Sequence, residues 1–147
     1  MPIPDDAPSP TTAPVPGAPA VSFDDTDLGA RLDALLSLPS ATGSALDALP
    51  FGVIRVDAAG RVAYYSATES RQSGLRAHNA VGLDFFAQLA PCMNTPRVRG
   101  RIVEAAQRGA VDIEVGHTGD FADPDRFLRV RVVSAGGGGY WHCHLRE

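Results

Sequence analysis

The spacing of apolar positions changes several times along the chain, and each change marks an element. Leu28, Leu32, Leu35 and Leu36 recur at i, i+4, i+7 and i+8, the single stripe of an amphipathic helix. Ser22 caps it, Asp24, Asp25 and Asp27 fill its first turn, and Pro39 ends it. A second short helical turn is predicted over Gly43–Leu49. From Phe51 the pattern becomes strand-like. Phe51-Gly52-Val53-Ile54-Arg55-Val56 and Arg61-Val62-Ala63-Tyr64-Tyr65 are β-branched and aromatic runs flanking Asp57-Ala58-Ala59-Gly60, which predicts a hairpin. Residues 66–90 mix polar, small and apolar residues in short groups, as several short helices would. Thr95 caps a longer helix with Pro96 at its first position. Val98, Ile102, Ala105 and Ala106 form its inner stripe, and Gly109 stops it. Three strands fit the remainder, about 110–118, 126–134 and 140–146, with Gly136 to Gly139 turning between the last two. This order predicts an α+β fold, a five-stranded antiparallel sheet with short helices on one face.

Composition divides the chain further. Seven of its twelve prolines fall in residues 1–21, so this leader is expected to be extended or disordered. Residues 22–50 then form an N-terminal helical cap and 51–147 the core, one domain's worth of chain within 147 residues. Seventeen acidic against thirteen basic residues give a net charge of -4, which argues against nucleic-acid binding. The densest basic run, Arg97-Val98-Arg99-Gly100-Arg101, lacks interleaved aromatics and reads as a solvated helix face. No apolar stretch approaches the ~20 residues of a membrane span, and no secretory signal opens the chain. Cys92 and Cys143 have unlike surroundings, so no disulfide is expected and a reducing cytoplasm is the natural compartment. No CxxC, HExxH or clustered ligand set indicates a metal, and the glycine run precedes a strand, so it is no phosphate loop.

Taken singly, the reactive residues have ordinary readings. Cys92 and Cys143 suit core positions, since free cysteine is commonly buried. Glu69 suits an exposed helix face, and Tyr65 a strand end. His142 and His144 lie on the strand face opposite Cys143. That face is solvated, contacts a covering segment, or pairs the histidines on a metal, the first two being the simpler readings. His78 and His117 carry no motif. An enzyme would use Cys92 as nucleophile with a histidine as base, but no local signature supports this and no turnover chemistry is expected.

Combination changes the picture. Asp84-Phe85-Phe86-Ala87-Gln88-Leu89-Ala90-Pro91-Cys92, followed by Thr95-Pro96 and a helix, resembles the chromophore loop of the photoactive yellow protein family. Phe51 to Phe86 is similar to a general PAS core. The resemblance runs ungapped from Phe51 to about Asp120 and resumes at Tyr140-Trp141. It is loose over 22–50 and absent over 1–21.

The resemblance implies a PAS fold and a 4-hydroxycinnamoyl (p-coumaric acid) chromophore, thioester-linked to Cys92. Tyr65 falls on the tyrosine that hydrogen-bonds the phenolate, Glu69 on a protonated glutamic acid that donates a second bond, and Ser73 on a threonine that supports the tyrosine. Phe85, Ala90 and Pro91 complete the chromophore surroundings. A phenolate in an apolar pocket is costly unless hydrogen-bonded, and burial beside an anion would keep Glu69 protonated. The implied function is blue-light reception: trans–cis isomerisation, proton transfer from Glu69 and partial unfolding of the 22–50 cap. A downstream signalling protein is the implied partner, met through surface contacts by a monomer or weak dimer. Leu75 replaces a shielding arginine, Gly119 an aromatic and Asp123 a methionine tied to fast thermal return, so slow dark recovery is expected. The alternative is a PAS-type ligand-binding or dimerisation module without chromophore. What separates the two is whether Cys92, Tyr65 and Glu69 face one cavity.

Overall fold

The computed structural model describes residues 46–119, 125–135 and 138–146. The leader 1–21, the helix expected between Ser22 and Pro39, and Asp123 lie outside the described residues. Of the short turn predicted over Gly43–Leu49, Leu46 and Asp47 are helical.

Strands β1 (Gly52–Val56) and β2 (Val62–Tyr65) form the expected hairpin. Its turn is held by Asp57, whose Oδ1 accepts from the Ala59 and Arg61 amides, and Gly60 takes the left-handed φ of 86° that the turn requires. Helix α1 (Ala67–Ser73) follows at once. Ser66 caps it by accepting from the Glu69 amide, and Gly74 closes it at φ 83°. Then come α2 (Ala77–Ala80), a π-helical turn over Phe85–Leu89 and a 3-10 turn over Pro91–Met93. A second π-helical turn over Pro96–Gly100, capped by Thr95, leads into α3 (Arg101–Gln107). Strands β3 (Asp112–Thr118), β4 (Phe127–Ser134) and β5 (Tyr140–Arg146) complete the chain.

The five strands are antiparallel in the order β2-β1-β5-β4-β3, so the last strand in sequence is the middle one in space. Each face of the sheet has its own core. The helices cover one face, where Phe85, Val98, Ile102 and Met93 pack on Ile54, Val56, Val115, Leu128, Val130 and Val132. On the other face Leu46, Leu49 and Phe51 pack with Val53, Trp141, Cys143 and Leu145. Cys143 therefore sits in a core, as its sequence context suggests; burial pushes its thiol up to about 12.

One expectation needs correction. The inner stripe of the Thr95-capped helix includes Val98, Ile102 and half-buried Ala105, but Ala106 is exposed. Ala106 opens an exposed run over residues 106–110, in which the helix ends at Gln107 and the chain leaves the core. Of the readings open for His142 and His144, contact with a covering segment is the one found, and their face of the strand is not solvated. They are 0% and 4% exposed, beneath the helical layer. The Phe85 ring covers His142 with centroids 4.2 Å apart. Among the described residues no helix is long and apolar enough to cross a membrane, and no cluster of three metal-ligating side chains occurs.

Candidate functional site

A cavity opens between the helical layer and the sheet, with about 400 Å³ of empty space including its mouth. Cys92, Tyr65 and Glu69 all line it. The loop carrying Cys92 is shaped by the first π-helical turn. The Leu89 and Ala90 amides bond back to Asp84 and Phe85, and Asp84 caps the turn through the Ala87 amide. This buries Phe85 and Leu89 as apolar wall, with Ile54 and Met93 beside them. The 3-10 turn that follows begins at Pro91 and leaves Cys92 exposed with a free thiol. Ala90 lines the cavity, whereas Pro91 is exposed and shapes only the turn.

The buried side is polar. Tyr65 ends β2, 4% exposed, and its hydroxyl hydrogen-bonds Ser73 Oγ at 2.7 Å across the length of α1. Glu69, one turn into α1, is 2% exposed. Its carboxylate occupies space left by Gly52 on β1, where a Cβ would fall on Glu69 Oε1. Gly52 is paired with His144 on β5, so the carboxylate lies against the middle strand. There Arg146 donates to both oxygens, Nη1 to Oε1 and Nη2 to Oε2, each at 2.7 Å. The pair is bidentate, and both side chains are almost fully buried. His144 Nδ1 lies 3.5 Å from Glu69 Oε2.

These partners favour the charged form of Glu69, where the resemblance implies a protonated group beside a bound phenolate. Burial is the largest single influence and raises its carboxyl pKa. His144 and Arg146 together outweigh it and lower the pKa to about 2.

Of the residues singled out in sequence, Cys92, Tyr65, Glu69, Phe85 and Ala90 converge on the cavity, with Ser73 directly behind Tyr65. Gly119 also lines it. Leu75 packs against the main core, and Arg99 lies over the Phe86 ring, 5.0 Å from its centroid. Sequence reasoning missed Arg146 altogether and gave His144 no role in this site. The signal was the two-residue period: Tyr140, His142, His144 and Arg146 share one face of β5, and β5 is the covered middle strand.

The cavity brings together an exposed thiol at its mouth, apolar walls and buried polar atoms at its inner side. One of these, His144 Nε2, is buried without a hydrogen-bond partner among the described residues. Such an orphan is what a ligand would satisfy.

Comparison with known proteins gives a consistent picture. The family described as "PAS fold" matches residues 46–144. The photoactive yellow protein of Halochromatium salexigens is 34% identical over 99 residues, 67% of this chain and 79% of that one. Its counterpart from Rhodothalassium salexigens is 29% identical over 97 residues, 65% and 78% of the two chains. Among solved structures, the photoactive yellow protein domain from the sensor histidine kinase Ppr of Rhodospirillum centenum aligns with a TM-score of 0.64 at 34% identity. The match covers 70% of this chain and 91% of that one. The PAS domain of a Colwellia psychrerythraea protein shares the fold alone, with a TM-score of 0.51 at 12% identity.

Proposed function

We propose, from the premise that the chain belongs to the photoactive yellow protein family of PAS-fold proteins, that it is a blue-light sensor carrying a 4-hydroxycinnamoyl group on Cys92. The observation that carries the reading is that an exposed cysteine and a buried Tyr65–Glu69–His144 group share one cavity. A ligand-binding module without chromophore would have no need of a thiol at the cavity mouth. When bound, the group supplies light absorption and trans–cis isomerisation of its double bond.

The chain's residues have separable tasks. Cys92 Sγ holds the acyl carbon as a thioester. Phe85, Leu89 and Ile54 exclude water from the ring. Tyr65, held in place by Ser73, donates to the phenolic oxygen. The Glu69–Arg146 pair ties α1 to β5. On its other side α1 holds the segment before β1: the Ala67 amide donates to Asp47 Oδ1 at 2.7 Å, and Thr68 Oγ1 donates to the Leu49 carbonyl at 2.8 Å. A change of charge or hydrogen bonding at Glu69 therefore reaches residues 46–50 through one short helix. This supports release of the 22–50 cap as the signal. The partner is proposed to be a cytoplasmic signalling protein, in keeping with the sensor-kinase origin of the Ppr domain.

The test is to add activated 4-hydroxycinnamic acid to the apoprotein, with Cys92→Ala as control. A visible band in the parent and none in the variant is expected. A folded parent that gains no band would remove the proposal.

A further inference from the structure

Two consecutive residues at the end of β2 serve opposite faces of the sheet. Tyr65 belongs to the core under the helical layer and hydrogen-bonds Ser73 beside the cavity. Tyr64 packs against the other core, and its hydroxyl donates to Asp47 Oδ1. The same oxygen accepts from the Ala67 amide at 2.7 Å. Ala67 opens α1, so its amide has no acceptor within the helix, and an acidic side chain suits that end of the helix dipole. Asp47 thus joins its own segment ahead of β1 to the end of β2 and the start of α1. Its carbonyl is a weaker anchor. Thr68 Oγ1 reaches it at 3.1 Å but has one hydrogen, and also reaches the Leu49 carbonyl at 2.8 Å. Burial, and then the bond to Asp47, push the Tyr64 phenol well above its usual range, so it stays a donor at neutral pH.

We propose that the Tyr64–Asp47 hydrogen bond is the latch of the segment ahead of β1, closed in the dark and released when the group bound in the cavity changes shape. The inference rests on the chromophore reading above. Neither residue lines the cavity, so both are positioning residues.

The route from cavity to latch is one peptide long. A bound group that moves against Tyr65 shifts the end of β2, and Tyr64 is the neighbouring residue. On the other side of Tyr65 the chain cannot yield. Ser66 Oγ accepts from the Val53 and Glu69 amides at 3.0 and 3.1 Å, which fixes the junction to β1 and α1. The displacement therefore falls on Tyr64. The other ties of the segment tolerate a small shift. Leu46 and Leu49 are held by apolar contact with Phe51 and Trp141, which is non-directional. A hydrogen bond is directional and weakens steeply once its angle falls below ~120°. The Tyr64–Asp47 contact is thus the tie that a small movement breaks first.

The experiment follows amide hydrogen exchange by NMR in the full chain loaded with activated 4-hydroxycinnamic acid, in the dark and under blue light. Tyr64→Phe keeps the ring in its core and removes only the hydroxyl. In the dark its Ala67 amide should exchange about 10–100-fold faster than in the parent, the size of a lost hydrogen bond to a charged group. In the parent, light should speed exchange at Ala67 and residues 46–49. In Tyr64→Phe these amides should already be fast in the dark, and light should add little, while the visible band keeps its position. Asp47→Asn, which retains an oxygen for both donors, should fall between the two. A light-induced gain in Tyr64→Phe as large as the parent's overturns the inference and leaves the contact a structural one. A parent whose band responds to light with no gain at residues 46–49 also overturns it and leaves the chromophore reading standing. A folded parent that takes up no acyl group overturns both.

Discussion

Gly52 and Glu69 occupy one space: the hydrogen on the Gly52 α-carbon stands where any other side chain would meet the Glu69 carboxylate. Gly52→Ala is therefore expected to push the carboxylate off Arg146 and destabilise the fold by about 1–3 kcal/mol, the usual cost of overpacking. In a Glu69→Ala background the same change should cost far less. Denaturant unfolding of the four proteins of this cycle reads the coupling, and additive losses would show that the two residues do not share the space.

Arg146 is the bidentate partner of the buried Glu69 carboxylate. Arg146→Met leaves a buried carboxylate without its bidentate partner, so a loss of about 3–5 kcal/mol is expected at neutral pH. Changing both residues together, Glu69→Leu with Arg146→Met, should cost less than the single change. A double variant as unstable as Arg146→Met would show that the pair does more than satisfy itself.

Acid stability should fall in two limbs. His142 is neutral in the fold and held at about 3 against an ordinary 6.5, so an unfolded chain binds its proton first. The stability this contributes is complete above about 6.5 and is lost as pH falls toward 3. Glu69 is depressed from 4.5 to about 2, so its contribution is complete above 4.5 and is lost below that. His142→Val is expected to raise stability, since it removes two unpartnered buried nitrogens, and to flatten the limb between pH 6.5 and 4.5. Unfolding midpoints measured from pH 7 to 3 check this, and an unchanged upper limb in His142→Val would contradict it.

The two thiols should separate cleanly. Cys92 is exposed and Cys143 is fully buried with its pKa raised to about 12. A thiol reagent is expected to label Cys92 in the native protein and Cys143 only after unfolding. Native labelling of both would show that the second core opens readily.

The hairpin and the three later strands were legible because their signals are local. Asp57 and Gly60 fix the first turn from within it, and Thr95 and Pro96 mark a helix start by themselves. The convergence of Cys92, Tyr65 and Glu69 was reachable only through family resemblance, since no spacing rule brings a loop cysteine to a helix glutamate. Arg146 was not legible. It meets Glu69 across 77 positions of sequence, and only the sheet order brings them together. Whether His142 and His144 are solvated or covered stayed open for a related reason. Alternation with Trp141, Cys143 and Leu145 is the pattern of a half-exposed strand, yet β5 is the middle strand and Phe85 closes over its polar face. Ala106 fell outside the buried stripe because its helix ends one residue later, at Gln107, where the chain is already exposed.

Light response is the most direct test of the central claim. The protein loaded with 4-hydroxycinnamoyl at Cys92 would be illuminated with blue light and its visible band followed through repeated light and dark periods. A band that bleaches and returns, slowly, in each dark period is the expected result, with light-dependent hydrogen exchange in residues 22–50. A loaded protein whose band is indifferent to light would contradict it.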